Sequence, residues 1–158
     1  MNMSSSTNKD IENSLKWLKE HPEAENLFGV WIGHGDSINY AIHRGKIPHC
    51  HSDAPNAIQK ILEDADFRFK EDVLFYRETS FPNKITPTLT SVTSKREASG
   101  EFGDNKYPIL VPKGTKFFFI SASDILAGVP LEETEEEFLL EHGSHILVDG
   151  RLVYKVSN

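Results

Sequence analysis

Apolar residues recur at helical spacing in the first half of the chain and gather into short β-branched and aromatic runs in the second. Ile11, Leu15, Trp17 and Leu18 build one apolar helix face and Pro22 closes it, which predicts a helix over about residues 9–20. Asp36-Ser37 supplies an N-cap, and Gly45 a stop, for a second helical segment between them. Asn56 caps a third over about 57–64, in which Ile58, Ile61 and Leu62 keep the i, i+3, i+4 pattern. From about residue 70 the pattern changes, and Val73-Leu74-Phe75-Tyr76-Arg77 reads as a strand. Further strands are predicted at 88–93, 107–111, 116–120, 137–140, 145–148 and 152–156. Pro112-Lys113-Gly114-Thr115 and Asp149-Gly150 are turn signals, the latter suited to a two-residue hairpin loop. Helices followed by a run of strands predict an α+β domain.

Composition narrows the possibilities. A chain of 158 residues holds one ordinary core, so residues 1–8 are read as a frayed tail and 9–158 as a single domain. Hydrophobic content of 38% with 26% charged residues is that of a globular protein. No apolar run approaches the roughly 20 residues that span a bilayer, so no membrane partner is expected. The start Met-Asn-Met-Ser-Ser-Ser-Thr-Asn has neither the basic nor the apolar region of a secretory leader. Cys50 alone forms no intrachain disulfide, which fits a cytoplasmic location. A net charge of −7 argues against nucleic-acid binding as the main function. His49-Cys50-His51-Ser52-Asp53 contains zinc-ligand residue types, but adjacent ligands rarely share one ion with good tetrahedral geometry and no second cluster lies at a conventional spacing. It is read as a loop, and no metal is expected.

Three features of the strand half stand in order: Arg77 ending the first strand, Ser91-Val92-Thr93 in the second, and Glu135-Glu136-Glu137 entering a later one. Each alone has a plain reading, as a surface or salt-bridged arginine, a sheet serine and a solvated acidic run. Together they resemble the arginine, serine, glutamate signature of the cholera-toxin-like and clostridial-type mono-ADP-ribosyltransferases. Leu74-Phe75-Tyr76-Arg77 is similar to that family's arginine strand, Val111-Pro112-Lys113-Gly114-Thr115 to its Pro-x-Gly-Thr turn, and Glu135-x-Glu137-Phe138-Leu139-Leu140 to its Glu-x-Glu motif before an aliphatic strand. Upstream, Ser37-Ile38-Asn39-Tyr40-Ala41-Ile42-His43-Arg44 resembles its helical Ile-Asn segment, so the likeness runs from about residue 10 to the end. The chain departs from the pattern at Glu78, where the family has glycine, and at Val92-Thr93, where it has Thr-Ser.

The resemblance implies N-terminal helices packed on two mostly antiparallel β-sheets, with NAD in the cleft between them. It implies that Glu137 binds the ribose and that Ser91 on the neighbouring strand holds it. Glu135 would orient an arginine acceptor, and Arg77, Glu78, Ser91 and Thr93 would contact the cofactor. Cleaving the nicotinamide–ribose bond builds positive charge on the sugar, which a fixed carboxylate stabilises. A planar guanidinium suits the pyrophosphate because it bonds phosphate oxygens bidentately. In an extended strand Glu135 and Glu137 share a face and Glu136 points away, which makes Glu136 dispensable. Residues 121–134 correspond to a substrate-recognition loop, and His142-Gly143-Ser144-His145 to a turn between strands. Trp17 and Trp31 read as core or helix-packing residues. The implied partner is a target macromolecule, a protein such as host transcription or translation machinery. Two alternatives stand beside this reading: an NAD glycohydrolase on the same fold, and a non-catalytic binding or inhibitor protein.

Overall fold

The structure, a computed structural model, describes residues 5–46, 52–96 and 106–157. Three helices come first: α1 (Ser5–Glu20), α2 (Glu25–His43) and α3 (Ala54–Ala65). The first helix starts at Ser5, upstream of the expected residue 9. The second is far longer than its cap signal predicts, at 19 residues, because the turn at Pro22–Ala24 leads directly into it and Asp36-Ser37 falls inside. It ends as the sequence predicts: Gly45 adopts φ 69°, its N–H bonds the Ile42 carbonyl at 2.9 Å, and the Lys46 N–H reaches Ala41 at 2.9 Å. The third begins at Ala54-Pro55 rather than after Asn56, since proline fits the first turn, where its missing N–H leaves no bond unmade.

The strands are β1 (Val73–Glu78), β2 (Lys84–Thr93), β3 (Lys106–Val111), β4 (Phe117–Phe119), β5 (Glu137–Val148) and β6 (Arg151–Val156), with a short helix α4 (Ala122–Leu126) before β5. Their order is β2-β1-β3-β6-β5-β4, and β2 also pairs with β5, so the ladder is one connected six-stranded sheet where two were expected. The cause is β5, whose 12 residues serve both halves. Residues 138–140 lie between β2 and β4, and residues 143–148 run beside β6. Among the described pairings only β3 with β6 is parallel.

No turn interrupts β5 at Gly143, contrary to expectation. A Cβ there would lie 2.5 Å from the Tyr154 ring and 2.6 Å from the Lys155 carbonyl, so glycine permits close approach of β6 instead of a reversal. The neighbouring His142 docks α3, its backbone N–H and its Nδ1–H both donating to Gln59 Oε1.

The core explains the three consecutive phenylalanines of β4, all buried. Phe118 faces the helices, stacked on Phe28 at 4.6 Å between ring centroids and met edge-on by Trp17 at 5.4 Å. Phe117 faces the other way, stacked on Phe69 at 4.1 Å, and Phe119 meets Phe138 at 4.8 Å. A strand buried on both faces reads as a continuous apolar run, as residues 138–140 do again in β5.

Lys84, the first residue of β2, is buried, 1% exposed, with its side-chain nitrogen on the hydroxyls of Thr88 and Thr90 and 5.8 Å from the Tyr154 ring centroid. Burial, reinforced by the nearby Arg77 cation, pushes its pKa well below the ordinary 10.5. Between that lowered value and 10.5 the unfolded chain carries a proton that the folded chain lacks, so stability rises with pH across the window. Urea midpoints at pH 7 and 9.5 should therefore rise more for the native sequence than for Lys84→Met; equal slopes would show that Lys84 keeps its charge when folded.

The Gly143→Ala change tests the strand crossing. Backbone and ring atoms must both give way, so stability should fall by about 2–3 kcal/mol, at the upper end of overpacking costs, measured by chemical denaturation.

Candidate active site

One cleft lies between α2 and the strand ends, lined by Trp31, Asn39, Arg77, Ser91, Glu135 and Glu137, with Tyr76, Glu78, Thr93, Lys95 and Lys106 at its sides. All six residues expected to form the site therefore border one concavity: Arg77 and Glu78 from β1, Ser91 and Thr93 from β2, Glu137 from β5 and Glu135 from the turn before it.

Arg77 bonds to both β5 and β2. Its Nε–H donates to His145 Nε2 at 3.1 Å and its Nη1 to the Ser91 carbonyl at 2.8 Å. Glu137 opens β5, its N–H donating to the Ser121 hydroxyl at 2.9 Å and its carbonyl accepting from Ile120 at 3.0 Å. The β2–β5 register sets Thr93 opposite Glu137 and Ser91 opposite Leu139. The Ser91 hydroxyl accepts the indole N–H of Trp31 at 3.1 Å. That bond links Ser91 to α2.

Thr93 closes the turn that carries Glu135. Its hydroxyl donates to the Glu135 carbonyl at 2.7 Å and accepts from the Lys95 N–H at 3.0 Å. Lys95 extends along the same turn, its ammonium on the carbonyls of Glu132 and Thr134. Glu78, where glycine was expected by resemblance, pairs with Lys106 at 3.9 Å, and both side chains are 9% exposed. The Lys106 nitrogen lies 6.0 Å from the Tyr76 ring centroid.

Glu135 and Glu137 do share the cleft, but by a different route from strand alternation. The strand starts only at Glu137, and Glu136 has φ 47°, a left-handed conformation that costs a non-glycine residue about 1–2 kcal/mol. Glu136 turns into the protein, where its carboxylate accepts the Ser94 hydroxyl at 2.6 Å and lies 4.0 Å from Lys95, while Thr134 Oγ1 accepts its backbone N–H at 3.1 Å. Glu136 points away from the cleft, as expected, but into the protein: it is the buried member of the three, with Glu135 exposed and Glu137 half-buried.

Sequence reasoning missed Trp31 and Asn39 as cleft residues. With Gly35 between them they recur every fourth residue along one face of α2, and a Cβ on Gly35 would meet the Trp31 ring at 2.8 Å. The signal was legible only once the helix was known to run unbroken through Asp36-Ser37. Asn39 Nδ2 donates to the Leu89 carbonyl at 3.1 Å, and its Oδ1 is buried with no hydrogen-bond partner. His145 was also missed. The expected recognition loop at 121–134 is folded as α4 and a 3₁₀ turn, Leu131–Glu133. Of the candidate metal cluster, His49, Cys50 and His51 lie outside the described residues. Among the described residues no three His, Cys, Asp or Glu side chains converge on a metal position.

Replacing Glu136 with alanine leaves the Ser94 hydroxyl without its charged acceptor. Stability should drop by about 1.5–3 kcal/mol in thermal or urea unfolding, against less than about 0.5 kcal/mol for the exposed Glu135→Ala. Equal losses would remove the structural assignment of Glu136.

No protein-family model and no curated protein matches the sequence. Solved structures do. The ADP-ribosylating toxin BECa of a Clostridium perfringens binary enterotoxin, with NADH, superposes with a TM-score of 0.67 at 18% identity, over 95% of this chain and 46% of that one. The chain thus spans about half the length of BECa. Exoenzyme S from Pseudomonas aeruginosa, bound to human 14-3-3 protein beta and carba-NAD, gives 0.56 at 13% identity, over 95% of this chain and 85% of that one. The ADP-ribosyltransferase toxin Plx2a from Paenibacillus larvae gives 0.52 at 15% identity, over 92% and 94%. At these identities the likeness is one of architecture: the chain has the mono-ADP-ribosyltransferase fold of these bacterial toxins.

Proposed function

We propose that this chain is a mono-ADP-ribosyltransferase that cleaves NAD, releases nicotinamide and transfers ADP-ribose to a protein, on arginine. The observation that carries the reading is the meeting of Arg77, Ser91, Glu135 and Glu137 in one cleft, from three separate parts of the chain. NAD suits the groups present. Arg77 offers a fixed cation to a pyrophosphate in a protein of net charge −7. The NADH and carba-NAD bound in the BECa and exoenzyme S structures support the same ligand class.

The chemistry follows from the two carboxylates. As the bond from ribose C1′ to the nicotinamide nitrogen breaks, its electron pair leaves with nicotinamide and positive charge grows on the sugar. Glu137 stabilises that charge. A guanidinium nitrogen of the target then bonds to C1′ and loses one proton. Glu135, exposed at the rim, pairs with the incoming guanidinium and accepts that proton. The target is a cytoplasmic protein of the producing or infected cell, with transcription or translation machinery the first candidates.

Purified protein and NAD test this directly. Glu137→Gln should cut nicotinamide release by about 10²–10³-fold, the worth of one preorganised electrostatic group. Glu135→Ala should keep release but lose label transfer from NAD to lysate protein. Label found only in free ADP-ribose would make the protein an NAD glycohydrolase, and no release by the native sequence would make it a binder.

A further inference from the structure

We infer that His145 is the positioning residue for Arg77. This rests on the NAD reading above only for its consequence in catalysis; the geometry stands by itself. His145 is buried, 1% exposed, in a row across three strands with Lys84 opposite it on β2 and Tyr154 opposite it on β6. Its two ring nitrogens have partners of opposite kind. Nδ1 lies 2.7 Å from the carbonyl of Pro82, which can only accept, so Nδ1 carries the proton. Nε2 lies 3.1 Å from Arg77 Nε, whose hydrogen can only be donated, so Nε2 bears the lone pair. The partners therefore fix a neutral imidazole in one tautomer. Protonation at Nε2 would set one N–H against another.

The consequence concerns Arg77. An arginine side chain has several free torsions, and a guanidinium that must meet a pyrophosphate loses affinity if its plane is not set in advance. The bond from Nε to His145 and the bond from Nη1 to the Ser91 carbonyl fix two directions of that plane from two strands, β5 and β2. Since His145 lies on the same strand as Glu137, one element sets both the carboxylate and the orientation of the cation. Behind it, burial and the Arg77 charge push the Lys84 pKa well below its ordinary value.

Two substitutions separate this role from a packing role, because each keeps one nitrogen's function. His145→Asn places an amide near Nδ1, able to donate to Pro82, and nothing near Nε2. His145→Gln carries its amide oxygen out toward Nε2, where it can accept from Arg77. Steady-state kinetics of nicotinamide release should show KM for NAD raised roughly tenfold in His145→Asn, the loss expected for an oriented bond to a charged group, with kcat changed less than about twofold. His145→Gln should stay within about threefold of the native KM. The reverse order, or equal effects, would overturn the inference and leave His145 as an anchor for the Pro82 loop or a filler of the core.

A second readout needs no NAD. Nitrogen-detected NMR of the ligand-free protein should show His145 protonated on Nδ1 alone, and a slowly exchanging Arg77 Nε–H that His145→Asn loses and His145→Gln keeps. A His145 protonated on Nε2 would overturn the inference. A protein with the expected spectrum that fails to bind NAD would defeat the proposed function while leaving His145 as the residue that orients Arg77.

Discussion

The antiparallel ladder between β2 and β5 is the constraint from which the rest of the site follows. Its register puts Thr93 opposite Glu137 and Lys84 opposite His145, so the polar residues of both strands are fixed relative to one another by backbone hydrogen bonds. It is fixed because residues 138–140 are buried between β2 and β4, with Phe138 packed against Phe75 and Phe119. A slip of one residue would turn Phe138 and Leu140 toward the face now occupied by Leu139, and every site side chain with them. The aromatic core thus does more than stabilise the domain. It sets the register on which the cleft depends.

Charge is distributed by the same sheet. An acidic protein that is to receive a doubly charged anion needs a cation at the right place and no strong competitor nearby. In the proposed NAD reading Arg77 is that cation; behind it His145 Nε2 accepts its Nε–H, and burial together with the Arg77 charge pushes the Lys84 pKa well below its ordinary value. Hydroxyls do the remaining work: Thr88 and Thr90 satisfy the Lys84 nitrogen, and Tyr154 donates to the Glu141 carbonyl. On the cleft side the Trp31 indole ties Ser91 to α2, so helix and sheet are joined at the site by a directed bond as well as by packing.

What could be read from the sequence divides along physical lines. Strand runs such as residues 73–77 and 107–111 were legible because burial on a pleated surface selects β-branched and aromatic residues. Arg77, Ser91, Glu135 and Glu137 were legible as an ordered motif, and they do border one cleft. Features that depend on pairing between distant segments were hidden. Gly143 looked like a turn because glycine's local signal is the same whether it serves a reversal or a close approach, and only the position of Tyr154 distinguishes them. Likewise Asp36-Ser37 has the residues of an N-cap but sits inside a helix stabilised by tertiary contact. His145 carries no local signal at all: its role arises from Arg77, 68 residues away, and from the carbonyl of Pro82.

The three consecutive glutamates show how one local conformation can change a functional argument without changing its conclusion. Strand alternation would have put Glu135 and Glu137 on one face at no conformational cost, with Glu136 left in solvent. The chain instead accepts a left-handed residue at Glu136, which turns that carboxylate inward to Ser94 and Lys95. Such strain persists only where surrounding contacts over-determine it, and here they come from Thr93, Ser94, Lys95 and Thr134 together. The result is a turn held from within by a buried carboxylate. It presents Glu135 at the exposed rim, where an incoming side chain can reach it, and Glu137 half-buried at the head of β5, where water is scarcer and a fixed charge acts more strongly. Two carboxylates separated by one residue thereby differ in exposure, which supports the division of roles proposed for them, one at the ribose and one at the acceptor.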